Sequence, residues 1–219
     1  MKTLTLLIAC LAPLGLLAER PNLILVFIDD MGWGDFSCFG NEAAQTPHID
    51  RLAKEGLRFD QFYVNSPICS PSRVSISTGQ YPQRWKITSY LSNRDHNRKR
   101  GMAQWLDPKA PMLARSLKNA GYATGHFGKW HLNGLRGPGV PILKDYPNGP
   151  GFFGFDKWLS VTNFFDLNPL MSRQGEFEEF SGDSSEIIVK EALSFMKVQK
   201  NLDRPFFCVI WYGTPHSPW

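Results

Sequence analysis

Three short strand-like runs limit what this chain can fold into, because each is followed within a few residues by charged or imidazole side chains. Residues 23–28 are continuously apolar and end in Asp29-Asp30. Residues 122–127 lead into Gly128-Lys129-Trp130-His131, and the apolar run 206–211 precedes Pro215-His216. Short apolar runs of this kind suit strands buried on both faces. Helical patterns lie between them. Thr46 is a suitable N-cap with Pro47 at the first helical position, and residues 47–55 place Ile49, Leu52 and Ala53 on one face before Gly56. Residues 70–78 read as a helix entered through a loop holding Cys69. Residues 111–119 read as another, with Met112, Leu113, Leu117 and Ala120 at helical spacing and Gly121 as terminator. Asp183 and Glu186 open a helix through about Val198. Residues 57–64 alternate as a strand would, and the Gly- and Pro-rich stretch 134–154 reads as a long loop. Strands alternating with helices predict an α/β fold, a mainly parallel sheet flanked by helices. In such sheets ligands bind beyond the carboxyl ends of the strands, where all three chemistry-bearing groups fall.

Several function classes are disfavoured by composition. A net charge of +4 is too mild to indicate a nucleic-acid partner. Apolar residues at 42% exclude a disordered chain. Residues 1–18 read as a secretory leader, with Lys2, an apolar stretch over 4–17 and Ala18 at the expected cleavage point. This run is too short and too broken by Pro and Gly to span a bilayer, and no later run is long enough. Leu7-Ile8-Ala9-Cys10 looks like a lipoprotein box, but almost no apolar stretch precedes it. Simple export, to a periplasm or out of the cell, is therefore expected over lipid anchoring. Without the leader, Cys38, Cys69 and Cys208 remain, an odd number and no disulfide framework. Cys38 and Cys208 are expected as small buried apolar groups, although pairing between them stays open.

Each candidate site residue also has an ordinary reading. Asp29 and Asp30 suit a turn or helix cap, but at the carboxyl edge of a parallel sheet two adjacent carboxylates also suit a hard cation. Cys69 is a buried thiol or, as a thiolate at a helix start beside Arg73, a reactive one of lowered pKa. Arg73 lies one helical turn beyond Cys69, on the same face. Lys129 and His131 flank Trp130, and an extended segment puts both on one face. His126 is read as structural. His216 sits in a Pro-bounded turn. The basic run at residues 94–100 reads as a solvated surface loop, or as an attractor of polyanionic substrate.

Cys69-Ser70-Pro71-Ser72-Arg73 spells C-x-P-x-R. With Asp29-Asp30, Gly128-Lys129-Trp130-His131 and Pro215-His216-Ser217-Pro218, in that order, the chain resembles the type I, formylglycine-dependent sulfatases of the alkaline-phosphatase-like superfamily. The match runs from about Pro21 to the last residue. The resemblance implies that a formylglycine-generating (sulfatase-maturing) enzyme oxidises Cys69 to formylglycine. One hydroxyl of the aldehyde hydrate would attack sulfur, and the other would expel sulfate by re-forming the aldehyde. It implies one Ca2+ held by Asp29, Asp30 and the modified Cys69. It assigns Arg73 to fixing and ionising the nucleophile, Lys129 to sulfate binding and His131 to assisting the nucleophile, cationic donors being suited to an oxyanion. His216 would contact sulfate and deliver a proton to the leaving oxygen.

The resemblance also implies that residues 19–219 form the N-terminal part of a sulfatase catalytic domain, further metal ligands and a further lysine coming from later segments. On that expectation the 219-residue chain alone is weakly active or inactive. The expected substrate is a sulfated carbohydrate, on the strength of the leader, the basic run and the family's habit. Two other readings compete. A phosphatase or phosphodiesterase of the same superfamily would use Ser or Thr and two zinc ions, against which Cys69 argues. A non-catalytic sulfated-glycan binder would keep Cys69 unmodified.

Overall fold

The computed structural model describes residues 20–134, 142–163 and 165–216. The expected leader, Cys10, Ser217 and Pro218 lie outside them. Six strands form one sheet in the order β1-β6-β2-β3-β4-β5. Here β1 is Leu23–Asp29, β2 Ala123–Lys129, β3 Lys157–Val161, β4 Leu170–Arg173, β5 Glu176–Glu179 and β6 Phe206–Pro215. Strands β1, β6, β2 and β3 pair in parallel. Strands β4 and β5 add an antiparallel extension. The helices are α1 (Pro47–Glu55), α2 (Cys69–Thr78), α3 (Arg94–Lys99), α4 (Leu113–Asn119) and α5 (Ser184–Asn201). The α/β expectation therefore holds, with a mixed sheet whose site-bearing part is parallel.

The central strands alternate between two cores, as the two-residue period of a pleated strand requires. On β6, Phe207, Val209 and Trp211 join Val74, Leu106, Trp130 and Phe153 on one side of the sheet. Phe206, Cys208 and Ile210 face the other side with Phe127, Leu159, Ile188 and Phe195. Helix α5 covers this second face, through Ile188, Ala192 and Phe195. Asp183 caps it as expected, its carboxylate accepting from the backbone N–H of Ser185 at 2.7 Å and of Glu186 at 3.3 Å. Midway along it, Glu191 pairs with Arg173 of β4, which also pairs with Glu178 of β5 and so fastens the hairpin to the helix.

Some local expectations change. Residues 57–64 form no strand and are solvent-exposed, Leu57 at 79% and Tyr63 at 78%. Alternation makes a strand only where a neighbour supplies a ladder, and no described strand pairs with this segment. Thr46 sits at the cap position of α1, but its hydroxyl bonds Ser37 and Asp50 instead of a helix N–H. Residues 94–99 form a short helix where a loop was expected, because Asn93 accepts from the His96 N–H at 2.9 Å. The hairpin β4–β5 turns through Gln174-Gly175, both at positive φ, as a two-residue turn of this twist demands. Cys38, Cys69 and Cys208 all carry free thiols, so Cys38 and Cys208 do not pair. No helix among the described residues is long and apolar enough to cross a membrane.

At Gly128, β2 and β6 approach too closely to admit a side chain. Its φ is +112°, and a Cβ there would lie 1.9 Å from the Trp211 carbonyl oxygen. Substitution Gly128→Ala is therefore expected to destabilise the chain by at least about 2 kcal/mol, adding a steric clash to backbone strain. A thermal melt reads this, and an unchanged midpoint would show that the two strands can separate without cost.

Candidate active site

Strands β1, β6 and β2 are neighbours, so their carboxyl ends share one edge of the sheet. Asp29, His216 and Lys129 meet there. The β1–β6 register pairs Phe27 with Trp211 but Asp29 with Pro215. The two extra residues on β6 form a bulge, and bulges re-aim side chains beside sites. This one carries His216 alongside Asp30, with Nε2 3.4 Å from Oδ2. Asp30 itself has φ +60°, a left-handed conformation that Asp tolerates, which turns it out of the strand.

A buried cluster forms the floor of the site. The Lys129 ammonium donates to Asp29 Oδ2, and the Arg73 guanidinium lies 3.4 Å from the same oxygen. Arg73 also donates to the Lys129 carbonyl at 3.1 Å and lies over the faces of Phe27 and Trp211. All three side chains are almost fully buried. Burial alone would raise the Asp29 pKa, but Arg73 and Lys129 outweigh it and hold the carboxyl below its ordinary value. Burial pulls both cations down, and Asp29 opposes that pull. Two cations against one carboxylate leave this buried cluster with a surplus of positive charge, which is an environment for an anion.

Cys69 begins α2, partly buried beside this cluster. Burial pushes its thiol up; Lys129 and Arg73 oppose this, and Asp29 adds to it. The expected lowered pKa is thus corrected, because desolvation outweighs the neighbouring cations. An activated thiolate is not what this environment favours.

His131 is buried, with φ +49°. The expected extended relation to Lys129 does not hold, since the chain leaves the strand there. Its Nε2 lies 2.8 Å from the Leu91 carbonyl oxygen, which can only accept, so the proton sits on Nε2. Burial and Lys129 lower its pKa to about 3. His131 is therefore neutral, with a lone pair on Nδ1, and not the cationic donor that the resemblance suggested. Nδ1 finds no hydrogen-bond partner among the described residues.

Ser70 and Leu91 had no signal in the sequence. Ser70 Oγ accepts from the Leu91 N–H at 2.9 Å. The peptide groups of Leu91 thus bond both Ser70 and His131, clamping the Cys69 helix to the β2 end. Ser70 occupies a variable position of C-x-P-x-R, so its spacing revealed nothing. His126 is structural as expected: fully buried, bonded to Ser160 Oγ at 2.7 Å and ringed by Trp130, Phe155 and Trp211. Burial keeps it neutral.

The donors suit a hard cation in type, not in number. Ca2+ takes about six to eight oxygens, and the site offers two adjacent carboxylates. Among the described residues no group of three His, Cys, Asp or Glu is placed to hold a metal. Of the expected trio Asp29, Asp30 and Cys69, Asp29 faces Lys129 and Arg73, while Asp30 is half-exposed beside His216. Asp29 and Asp30 would supply two of the oxygens that such a cation needs.

Removing one buried charge separates the cluster from the rim. Asp29→Ala leaves Lys129 and Arg73 buried without their anion and is expected to cost about 3–5 kcal/mol in chemical denaturation. Asp30→Ala, at a 52% exposed side chain, is expected to cost less than about 1 kcal/mol. Equal losses would contradict the burial argument.

The Sulfatase family model matches residues 21–219. N-acetylgalactosamine-6-sulfatase of Sus scrofa is 33% identical over 236 residues, covering 97% of this chain and 43% of that protein. Steryl-sulfatase of Mus musculus is 39% identical over 166 residues, covering 72% and 25%. The crystal structure of Ps i-CgsB superposes with a TM-score of 0.79 at 25% identity, over 91% of this chain and 46% of that one. A structure in complex with its substrate D-glucosamine-2-N,6-O-disulfate gives a TM-score of 0.72 at 27% identity, over 92% and 36%. The chain spans less than half the length of these relatives. With the motifs in order and their side chains gathered at one sheet edge, the chain belongs to the sulfatase family.

Proposed function

We propose that the protein hydrolyses sulfate esters of sulfated carbohydrates, using position 69 matured from Cys69 to formylglycine. The observation that carries this reading is the excess of buried positive charge beside Cys69, built from Lys129 and Arg73 against Asp29. A sulfate ester is anionic, and fixed cations in a dry site stabilise charge that develops on its oxygens. The thiol, pushed up by burial, is a poor nucleophile as it stands, which supports chemistry through its oxidised form.

Lys129 binds a sulfate oxygen. Arg73, one turn along α2, holds the oxygen substituents at position 69. His131, neutral with Nδ1 as acceptor, assists the nucleophile there by accepting a hydrogen bond from it. His216, at the rim beside Asp30, contacts sulfate and delivers a proton to the leaving oxygen. Asp29 and Asp30 are proposed as two ligands of a Ca2+, completed by oxygens beyond these two carboxylates. When bound, such an ion polarises sulfate and acidifies a nearby hydroxyl. The accompanying partner is a formylglycine-generating enzyme. The leader-like residues 1–18 support export to a periplasm or out of the cell. A sulfated sugar as substrate is supported by the names of the similar proteins, one an N-acetylgalactosamine-6-sulfatase and one solved with a disulfated glucosamine.

The test is the mass of the tryptic peptide containing Cys69 after co-expression with a formylglycine-generating enzyme. A loss of about 18 Da, thiol to aldehyde, is expected. In a preparation matured at position 69 and active on an aryl sulfate, Lys129→Ala is expected to lower kcat/KM by about 100- to 1,000-fold. An unmodified Cys69, with glycan binding but no turnover, would establish the non-catalytic reading instead.

A further inference from the structure

A cleft of about 820 Å3 opens beside the active site, lined by Arg94, Arg98, Lys99, Trp105, Asn133 and Tyr146. Its volume is in the range of small-molecule sites. Three cations face one carboxylate there, Asp95, which pairs with Arg98. The Arg94 guanidinium lies 5.8 Å over the Trp105 ring. Aromatic faces carry negative potential that attracts cations and C–H groups alike. The cleft therefore combines cationic donors with apolar faces, the pair of features that an anionic sugar chain requires.

The walls of the cleft are fixed. Asn97 is fully buried, and its amide bonds both the N–H and the carbonyl of Ser92 at 2.9 Å, anchoring α3. Gly134 packs so tightly that a Cβ would lie 1.9 Å from the Gln104 carbonyl oxygen. Asn133 is fully buried, with Nδ2 bonded to Thr162 Oγ1 at 3.2 Å. Its Oδ1 finds no partner among the described residues. A buried acceptor of this kind is costly unless something meets it.

Position ties the cleft to the nucleophile. Leu91, two residues before Asn93, bonds Ser70 beside Cys69 and bonds His131, which precedes Asn133 by two residues. The basic wall is thus held on the same clamp as the site. We infer that this cleft is a subsite for anionic saccharide units flanking the scissile sulfate. It takes a sulfated oligosaccharide by its anionic groups along Arg94, Arg98 and Lys99 and by stacking on Trp105 and Tyr146. The inference rests on the sulfate-ester reading of the neighbouring site, whose substrate it makes a multiply charged chain and not a lone small sulfate.

The test is calorimetric titration of the 219-residue chain carrying Cys69→Ala, so that nothing turns over. The probes are a chondroitin sulfate tetrasaccharide and an unsulfated hyaluronan tetrasaccharide. The sulfated probe is expected to bind at least about tenfold tighter, with affinity falling as salt rises. The double substitution Arg94→Ala/Lys99→Ala is expected to weaken it about tenfold, while Arg94→Lys/Lys99→Arg stays within about threefold. Melting of both double variants should match the parent, since these side chains are exposed. Equal affinity for the two probes, no binding by the parent, or unchanged affinity in the alanine variant would each overturn the inference. An unmodified Cys69 in the mass experiment would sink the catalytic reading and leave the cleft result standing. Intact maturation with no preference for the sulfated probe would sink the cleft alone.

Discussion

Burying Lys129 and Arg73 beneath the sheet edge would be prohibitive without the Asp29 carboxylate between them. An uncompensated buried charge costs several kcal/mol, so the three side chains form a unit that must be made whole. That unit also joins three elements, since Asp29 ends β1, Lys129 ends β2 and Arg73 lies on α2. The Asp29 carboxylate thus helps align α2 with the sheet, beside the bond from Arg73 to the Lys129 carbonyl and the Leu91 clamp. The aromatic rings of Phe27 and Trp211 complete the cage around Arg73.

The same cluster sets the chemistry. It carries more positive than negative charge, so it favours a ligand of opposite sign. It does not make a thiolate of Cys69, because burial disfavours the anion more than the cations help it. It also depresses His131, which Lys129 and burial together leave neutral. A neutral imidazole with Nε2 committed to Leu91 can accept a hydrogen bond through its other nitrogen. Leu91 ties the start of α2, through Ser70, to His131.

Much of the architecture was legible in the chain. The run 23–28, the helix 47–55, the Asp183 cap and the strand 206–211 all lie where their periodicity placed them. The gathering of Asp29, Lys129 and His216 at one sheet edge was legible too, because strand ends of a parallel sheet are where side chains converge. The antiparallel hairpin was not, for β4 and β5 are four residues each and largely polar on β5. Its signal was the Gln174-Gly175 turn, weaker than an Asn-Gly pair. Residues 57–64 show the opposite error, an alternating pattern with no ladder to join.

The sequence by itself determined the family, the α/β alternation and the identities of Asp29, Cys69, Arg73, Lys129, His131 and His216, because motif residues and periodicity are local properties. Only the tertiary structure decided that His131 is neutral, that the Cys69 thiol is raised, and that Asp29 faces two cations while Asp30 turns to His216. It alone placed Leu91 between Ser70 and His131. The reason is physical: charge state depends on burial and on partners far away in the chain, Asp29 and Lys129 being 100 residues apart.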